Sequence, residues 1–273
     1  MHTTNRNPKL LTRLLFTLFA SLLLASCAKV EPKVVEVKEV APQVVVVEKP
    51  IVPTVKKEVV KRPARFNSVT EKKRFFFAFM KPFIIEENSR VVKLRSRLIE
   101  MQSATLSQDD LQWLAGVAKQ YKVKMKGPPD QQFWDKMMAR VDIVPLEMAL
   151  VQAANESAWG ESRFAKEGKN FFGQWCYSKG CGIVPSQRNA GSTHEVRSFE
   201  SAGLSVRAYI QNINRTRAYR EFRQIRLQLR KQKQPLDAEK LAMGLKSYSE
   251  RGMAYVKTIQ SMIRSNRKLI AAS

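Results

Sequence analysis

Histidine and cysteine are almost absent from this chain. Among 273 residues there are two histidines, His2 and His194, and three cysteines, Cys27, Cys176 and Cys181. The one zinc site that can be assembled from so few ligands needs Cys176, Cys181 and His194 together. Acidic residues are scarce as well: 24 stand against 48 Lys and Arg, a net charge of +24. Such an excess implies a polyanionic partner, with nucleic acid the default until a destination has been read. A long apolar run is also missing. Leu14–Ala25 extends over twelve residues, short of the roughly 20 that cross a bilayer as a helix. With 44% hydrophobic and 9% aromatic residues, the remainder suffices for one or two domains with a proper core.

The short run belongs to a leader. Arg6, Lys9 and Arg13 precede it, and it ends Leu24-Ala25-Ser26-Cys27, which resembles a bacterial lipobox. That resemblance implies a signal peptide over 1–26, cleavage before Cys27, and lipidation of its thiol and new N-terminus. Ala28, not Asp, comes next, so the expected address in a Gram-negative host is the periplasmic face of the outer membrane. The alternative is an ordinary signal peptide with an incidental cysteine. The leader carries three cations and no acid, so the processed chain keeps +21. An exported basic protein meets anionic lipid or wall polymer rather than the genome, and nucleic acid drops out as a partner. In an oxidising compartment Cys176 and Cys181, bracketing YSKG with Gly180 free to take a positive φ, are a disulfide candidate; the zinc site stays as the alternative.

Residues 27–65 are mostly Val, Lys, Glu, Pro and Ala, and prolines at 32, 42, 50, 53 and 63 interrupt every valine run. An extended linker is expected, reaching on the order of 100 Å at roughly 3.1 Å per residue; an edge strand over Val44–Glu48 is the alternative. From Phe66 the composition changes. A helix is expected from Thr70-Glu71, carrying Phe75, Phe76, Phe77, Phe79 and Met80 and broken near Pro82, then a second from Ile84 to Met101. Ser107 with Asp110 marks a capped start, Gly127-Pro128-Pro129 a break, and Asp130 another cap. This helical segment, 66–140, either packs on the C-terminal half of the chain or forms its own lobe.

Chemistry gathers in the next stretch. After Pro145, Leu146, Ala149, Leu150 and Ala153 recur at helical spacing, and Glu156 falls on the same apolar face before Gly160 can end the helix. Trp159, three residues on, could wall a site. A carboxyl partly buried there has a raised pKa and suits a general acid; the alternative is a helix-end glutamate facing solvent. Gln174–Val184 and Thr193–Phe199 read as short strands around a loop at 185–192, with Glu195 on the second and Glu200 nearby. Ser201 caps a helix burying Val206, Tyr209, Ile210 and Ile213. Tyr219 then continues into Phe222, Ile225 and Leu229 at core spacing, and Arg215–Lys233 is intensely basic. Asp237 caps a helix running to Tyr248, and Tyr255, Val256, Ile259, Met262 and Ile263 stripe the last one.

The segment Val151–Trp175, VQAANESAWGESRFAKEGKNFFGQW, resembles the signature of the glucosaminidase family, glycoside hydrolase family seventy-three, and Ser198–Arg223 continues in the family order. The likeness covers about Val141 to Arg267 and is closest to the Bax-type branch of exported peptidoglycan hydrolases. It implies an α+β, mainly helical, lysozyme-like domain over 141–273 with a small antiparallel β-lobe. The implied reaction is hydrolysis of the β-1,4 bond after N-acetylglucosamine by a monomer needing neither metal nor organic cofactor. By resemblance Glu156 is the general acid, Glu195 the second catalytic acid on a mobile lobe, and Tyr219 an active-site tyrosine holding the sugar. Trp159, Asn170, Phe172 and Tyr248 are further substrate-binding candidates. A substrate 2-acetamido group could replace the second carboxylate. The rival readings are a non-catalytic wall-binding or scaffolding lipoprotein, and a muramidase or transglycosylase cutting the other bond.

Overall fold

The computed structural model describes residues 63–273 apart from 187, 189 and 190. The leader, Cys27, nearly all of the expected linker and its alternative strand lie outside the described residues. Within them, α4 (Leu146–Glu156) is the element the others pack around. Met148 to Ala154 are all buried, because α1 (Val69–Gln102), α8 (Ala238–Ala242) and α9 (Met253–Ala271) pack against it from several sides. The expected one-sided stripe is therefore an all-round apolar helix, the pattern of a helix inside a core. Small Ala149, Ala153 and Ala154 let the neighbours approach.

The expected break at Pro82 does not occur: α1 runs through it for 34 residues, capped by Ser68 rather than started at Thr70. A proline inside a helix costs about 3 kcal/mol through its missing N–H and its ring. Burial of Phe76, Phe77, Met80, Ile84 and Leu98 on both sides of it outweighs that loss. Thus α1 packs into the same core as α4 and α6 (Ala202–Arg215). The side-chain caps fall where hydroxyl and carboxylate residues stand. Ser107 and Asp110 form a reciprocal capping box on α2 (Gln108–Gln120), and Asp130 caps α3 (Gln131–Arg140). Ser162 caps the one-turn α5 (Arg163–Lys166), and Ser201 and Asp237 cap α6 and α8.

The basic run Arg215–Lys233 is partly an internal scaffold. On α7 (Arg220–Lys231), Arg223 donates to the carbonyls of Ile213 and Thr216 at the end of α6. Arg226, wholly buried, donates to the carbonyls of Ala139, Asp142 and Ile143. Arg230 grips the Asp142 carboxylate with two hydrogen bonds of 2.8 and 3.0 Å. Helix C-termini leave carbonyls without partners, and guanidinium groups satisfy them.

The remaining element is a three-stranded antiparallel sheet: β1 (Trp175–Cys176), β2 (Gly182–Ile183) and β3 (Glu195–Arg197), ordered β1-β3-β2. The single strand expected over Gln174–Val184 is thus two, divided by the turn at 177–181, and they flank β3 on opposite edges. The fold is mainly helical with a small β-lobe, a lysozyme-like α+β architecture.

Candidate active site

Glu156 is the last residue of α4, four positions before the glycine expected to end the helix. Ser157 closes it, donating its hydroxyl to the Ala153 carbonyl and accepting from the Gly160 N–H. Ala158, Trp159 and Gly160 all take positive φ, 52°, 61° and 79°. For residues with a side chain this left-handed backbone costs roughly 1–2 kcal/mol each. Strain of this kind gathers beside functional sites.

The Glu156 carboxyl is half-buried. Its Oε1 accepts from the Asn155 amide at 3.0 Å and from the Tyr255 hydroxyl at 2.9 Å. Its Oε2 faces Gly173, where an added Cβ would stand 3.5 Å away. Gly173 has φ +63°, which glycine takes without the strain a side chain would add, and it keeps that side of the carboxyl open. Burial pushes the Glu156 pKa up, against the two hydrogen bonds and the charge of Arg251, which favour the ionised form. The outcome is a carboxyl that holds its proton above the usual range, as a general acid requires.

Behind Glu156 runs a chain of buried hydrogen bonds. Tyr209 donates its hydroxyl to Gln152 Oε1, Gln152 Nε2 donates to the Tyr255 hydroxyl at 2.9 Å, and Tyr255 donates to Glu156. The Tyr255 hydroxyl is raised by burial and by the nearby Glu156 charge. Tyr248 stacks on Tyr255 with ring centroids 5.4 Å apart and lies 5.9 Å from Tyr219. Tyr219 is buried, bonded to Asn212, and pushed up to about 12 chiefly by burial. Glu156, Tyr219 and Tyr248 are therefore brought together, joined by Tyr255, Gln152 and Asn155, which sequence reasoning missed. The available signal was a glutamine inside the apolar run of α4: a buried amide needs a partner.

Four other candidates take different places. Trp159 turns toward α1, edge-on to Phe76 and Phe77 at 5.8 and 5.2 Å, with the Lys73 ammonium over its ring. Phe172 is buried and stacked on Tyr209 at 4.0 Å, so no face is open to a sugar. Asn170 gives both amide hydrogens to the carbonyls of Gln174 and Arg197 and accepts the N–H groups of Phe172 and Gln174. Its hydrogen-bonding capacity is used up in holding the lobe to the helices.

Glu195, the expected second acid, is the fourth. Its carboxylate accepts the N–H of Gly180 at 3.0 Å and of Gly182 at 2.8 Å, and those bonds hold its pKa down, against a small opposing effect of burial. It ties the 177–181 turn. Cys176 and Cys181 close the same turn, their sulfurs bonded at 1.97 Å. Although Cys176, Cys181 and Glu195 cluster, the sulfurs bind each other rather than standing as thiolates, and His194 stacks on Trp175 at 4.1 Å. This arrangement corrects the alternative zinc site.

Beyond Gly173 a cavity of about 540 Å³ opens between the β-lobe and α6, lined by Gln174, Trp175, Arg197, Phe199, Asn212 and Arg215 among others. Glu156 is not in its wall; the cavity begins one residue away and shares Asn212 with the tyrosine cluster. Trp175, 54% exposed at its lip, was read only as part of a strand.

The glucosaminidase family model, described as mannosyl-glycoprotein endo-beta-N-acetylglucosaminidase, matches residues 131–268. The match starts with α3, so it takes in one helix more than the segment that resembled the family. Protein Bax of Escherichia coli strain K12 is 35% identical over 209 residues, covering 76% of this chain and 74% of that protein. No solved structure matches.

Proposed function

The chain belongs to the glucosaminidase family of glycosidases, and from that we propose a peptidoglycan hydrolase cutting the β-1,4 bond after N-acetylglucosamine, with Glu156 as general acid. The observation that carries the reading is one carboxyl at a helix end, its pKa raised by burial, with Oε1 held by Asn155 and Tyr255 and Oε2 toward the open side. Glu156 gives its proton to the leaving glycosidic oxygen. With Glu195 engaged by backbone amides, we assign the attack on the anomeric carbon to the oxygen of the substrate's own 2-acetamido group. The cyclic cation so formed is opened by water, whose proton returns to Glu156, and the anomeric configuration is retained. Tyr219 and Tyr248, beside Glu156, would hold that acetamido group.

We further propose export and anchoring by a lipid on Cys27, supported by the run Leu14–Ala25 and the Leu24-Ala25-Ser26-Cys27 sequence. That places a basic domain against the wall.

The test is digestion of purified peptidoglycan by the chain and by Glu156→Gln, with mass analysis of the ends. New reducing N-acetylglucosamine ends from the native chain, lost in the variant, support the reading. Reducing muramic acid or anhydro ends would make it a muramidase or transglycosylase. Wall binding by both proteins without new ends would leave a glycan-binding lipoprotein.

A further inference from the structure

The groove between the β-lobe and α6 carries charge that the hydrolytic step does not use. Three arginines and a single acid, Glu200, line it. Arg207 is committed to Glu87 at 3.0 Å. Arg197 rests over the Phe199 ring, its guanidinium 4.9 Å from the centroid, and neither Arg197 nor Arg215 is ion-paired among the described residues. In the same wall the Oε1 of Gln174 is buried and has no hydrogen-bond partner among the described residues. A buried acceptor left unpaired is costly, and an incoming N–H would relieve it. Two cations and one acceptor are the complement of a short peptide with free carboxylates and amide N–H groups. They are not the complement of a neutral sugar chain.

We propose that this groove binds the peptide stem carried by the wall glycan, so that the enzyme selects stem-bearing strands over bare ones. Carboxylates of the stem lie on Arg197 and Arg215, and Gln174 turns its buried, unpaired Oε1 out of the wall to accept an amide N–H. The groove starts at Gln174, next to the Gly173 that borders Glu156, so a stem leaving the glycan near the cleaved bond enters it directly. The inference rests on the peptidoglycan reading above for its ligand, but not on turnover.

Binding of the full-length Glu156→Gln chain to soluble glycan strands tests it. Three probes are compared: strands with intact stems, strands stripped of stems by an amidase and then capped as amides at the lactyl carboxylates so freed, and stemmed strands with their carboxylates amidated. The expected result is at least about tenfold tighter binding of intact stems than of either control, shrinking as salt rises. Arg197→Gln with Arg215→Gln should erase that preference and leave affinity for stripped strands unchanged. Equal binding of intact and stripped strands overturns the proposal, as does a preference that survives the double substitution or survives amidation. Cleavage by the native chain is scored apart: preference without cleavage keeps the groove and sinks the hydrolase, whereas cleavage of both strands alike does the reverse.

Discussion

Tyr255 donates its hydroxyl to Glu156 Oε1 at 2.9 Å from a helix 99 positions further along the chain. The bond favours the ionised carboxyl and so restrains a pKa that burial raises. Replacing Tyr255 with Phe removes the restraint. The Glu156 pKa then rises further, and the alkaline limb of the pH–rate profile, where the acid loses its proton, should move to higher pH. The same change strands the Gln152 amide, which donates to that hydroxyl, at a cost of about 1–3 kcal/mol in stability. A pH–rate profile and an unfolding curve on one protein sample would check both.

Glu195 and Glu156 should separate in kinetics. Glu156→Gln removes the proposed proton donor and should lower kcat by about 10²–10⁴-fold. Glu195→Gln exchanges an acceptor of two backbone N–H bonds for a weaker one. The turn loosens, KM rises, and kcat stays within about tenfold. A kcat loss at Glu195 as large as at Glu156 would restore it to the chemistry.

Why these two acids differ is a question the sequence could not answer. Both sit near apolar residues at element ends, and spacing shows that a carboxylate is close to a site but not which groups its oxygens meet. Glu156, the proposed general acid, was legible because it interrupts the apolar face of α4. The amides that claim Glu195 belong to Gly180 and Gly182, whose N–H directions depend on where the turn splits the strand. Caps at Ser107, Asp130, Ser201 and Asp237 were legible because each is local. Pro82 misled for the converse reason, since the contacts that keep α1 whole come from α4 and α6.

Glu156 also makes stability depend on pH. Its folded pKa lies above that of the unfolded chain, so between the two values the native state binds more protons. The stabilising protonated form is fully present below the ordinary carboxyl range, and stability falls as pH rises through the folded pKa. A tenfold difference in proton affinity between the folded and unfolded chain corresponds to about 1.4 kcal/mol. Glu156→Gln, which cannot ionise, should therefore melt above the native chain at neutral pH, by about 2–4 °C per kcal/mol. The advantage should vanish in acid, and melting curves across pH would show it. A variant less stable at every pH would mean that the hydrogen bonds lost outweigh the desolvation relieved.

Asp142 has the opposite sign. Burial alone would raise its pKa, but the hydrogen bonds from Arg230 and the charges of Arg226, Arg95 and Arg230 outweigh it and hold it below the usual value. It therefore contributes stability above the unfolded carboxyl pKa, lost as pH falls through the folded one. Asp142→Asn at neutral pH should cost about 3–5 kcal/mol, because it leaves the buried Arg226 guanidinium without its counter-charge. The deficit should narrow in acid, where the native aspartate is protonated too. Arg226→Met alone should also be harmful: it removes one of the three cations around the buried carboxylate and uncaps the Ala139 carbonyl at the end of α3. The double variant Asp142→Asn with Arg226→Met should cost less than the sum of the two, since neither charge is then left buried alone. Urea midpoints for the four proteins close the cycle. Additive costs would mean that Arg226 acts through its carbonyl bonds alone, with Arg230 and Arg95 sufficient to neutralise Asp142.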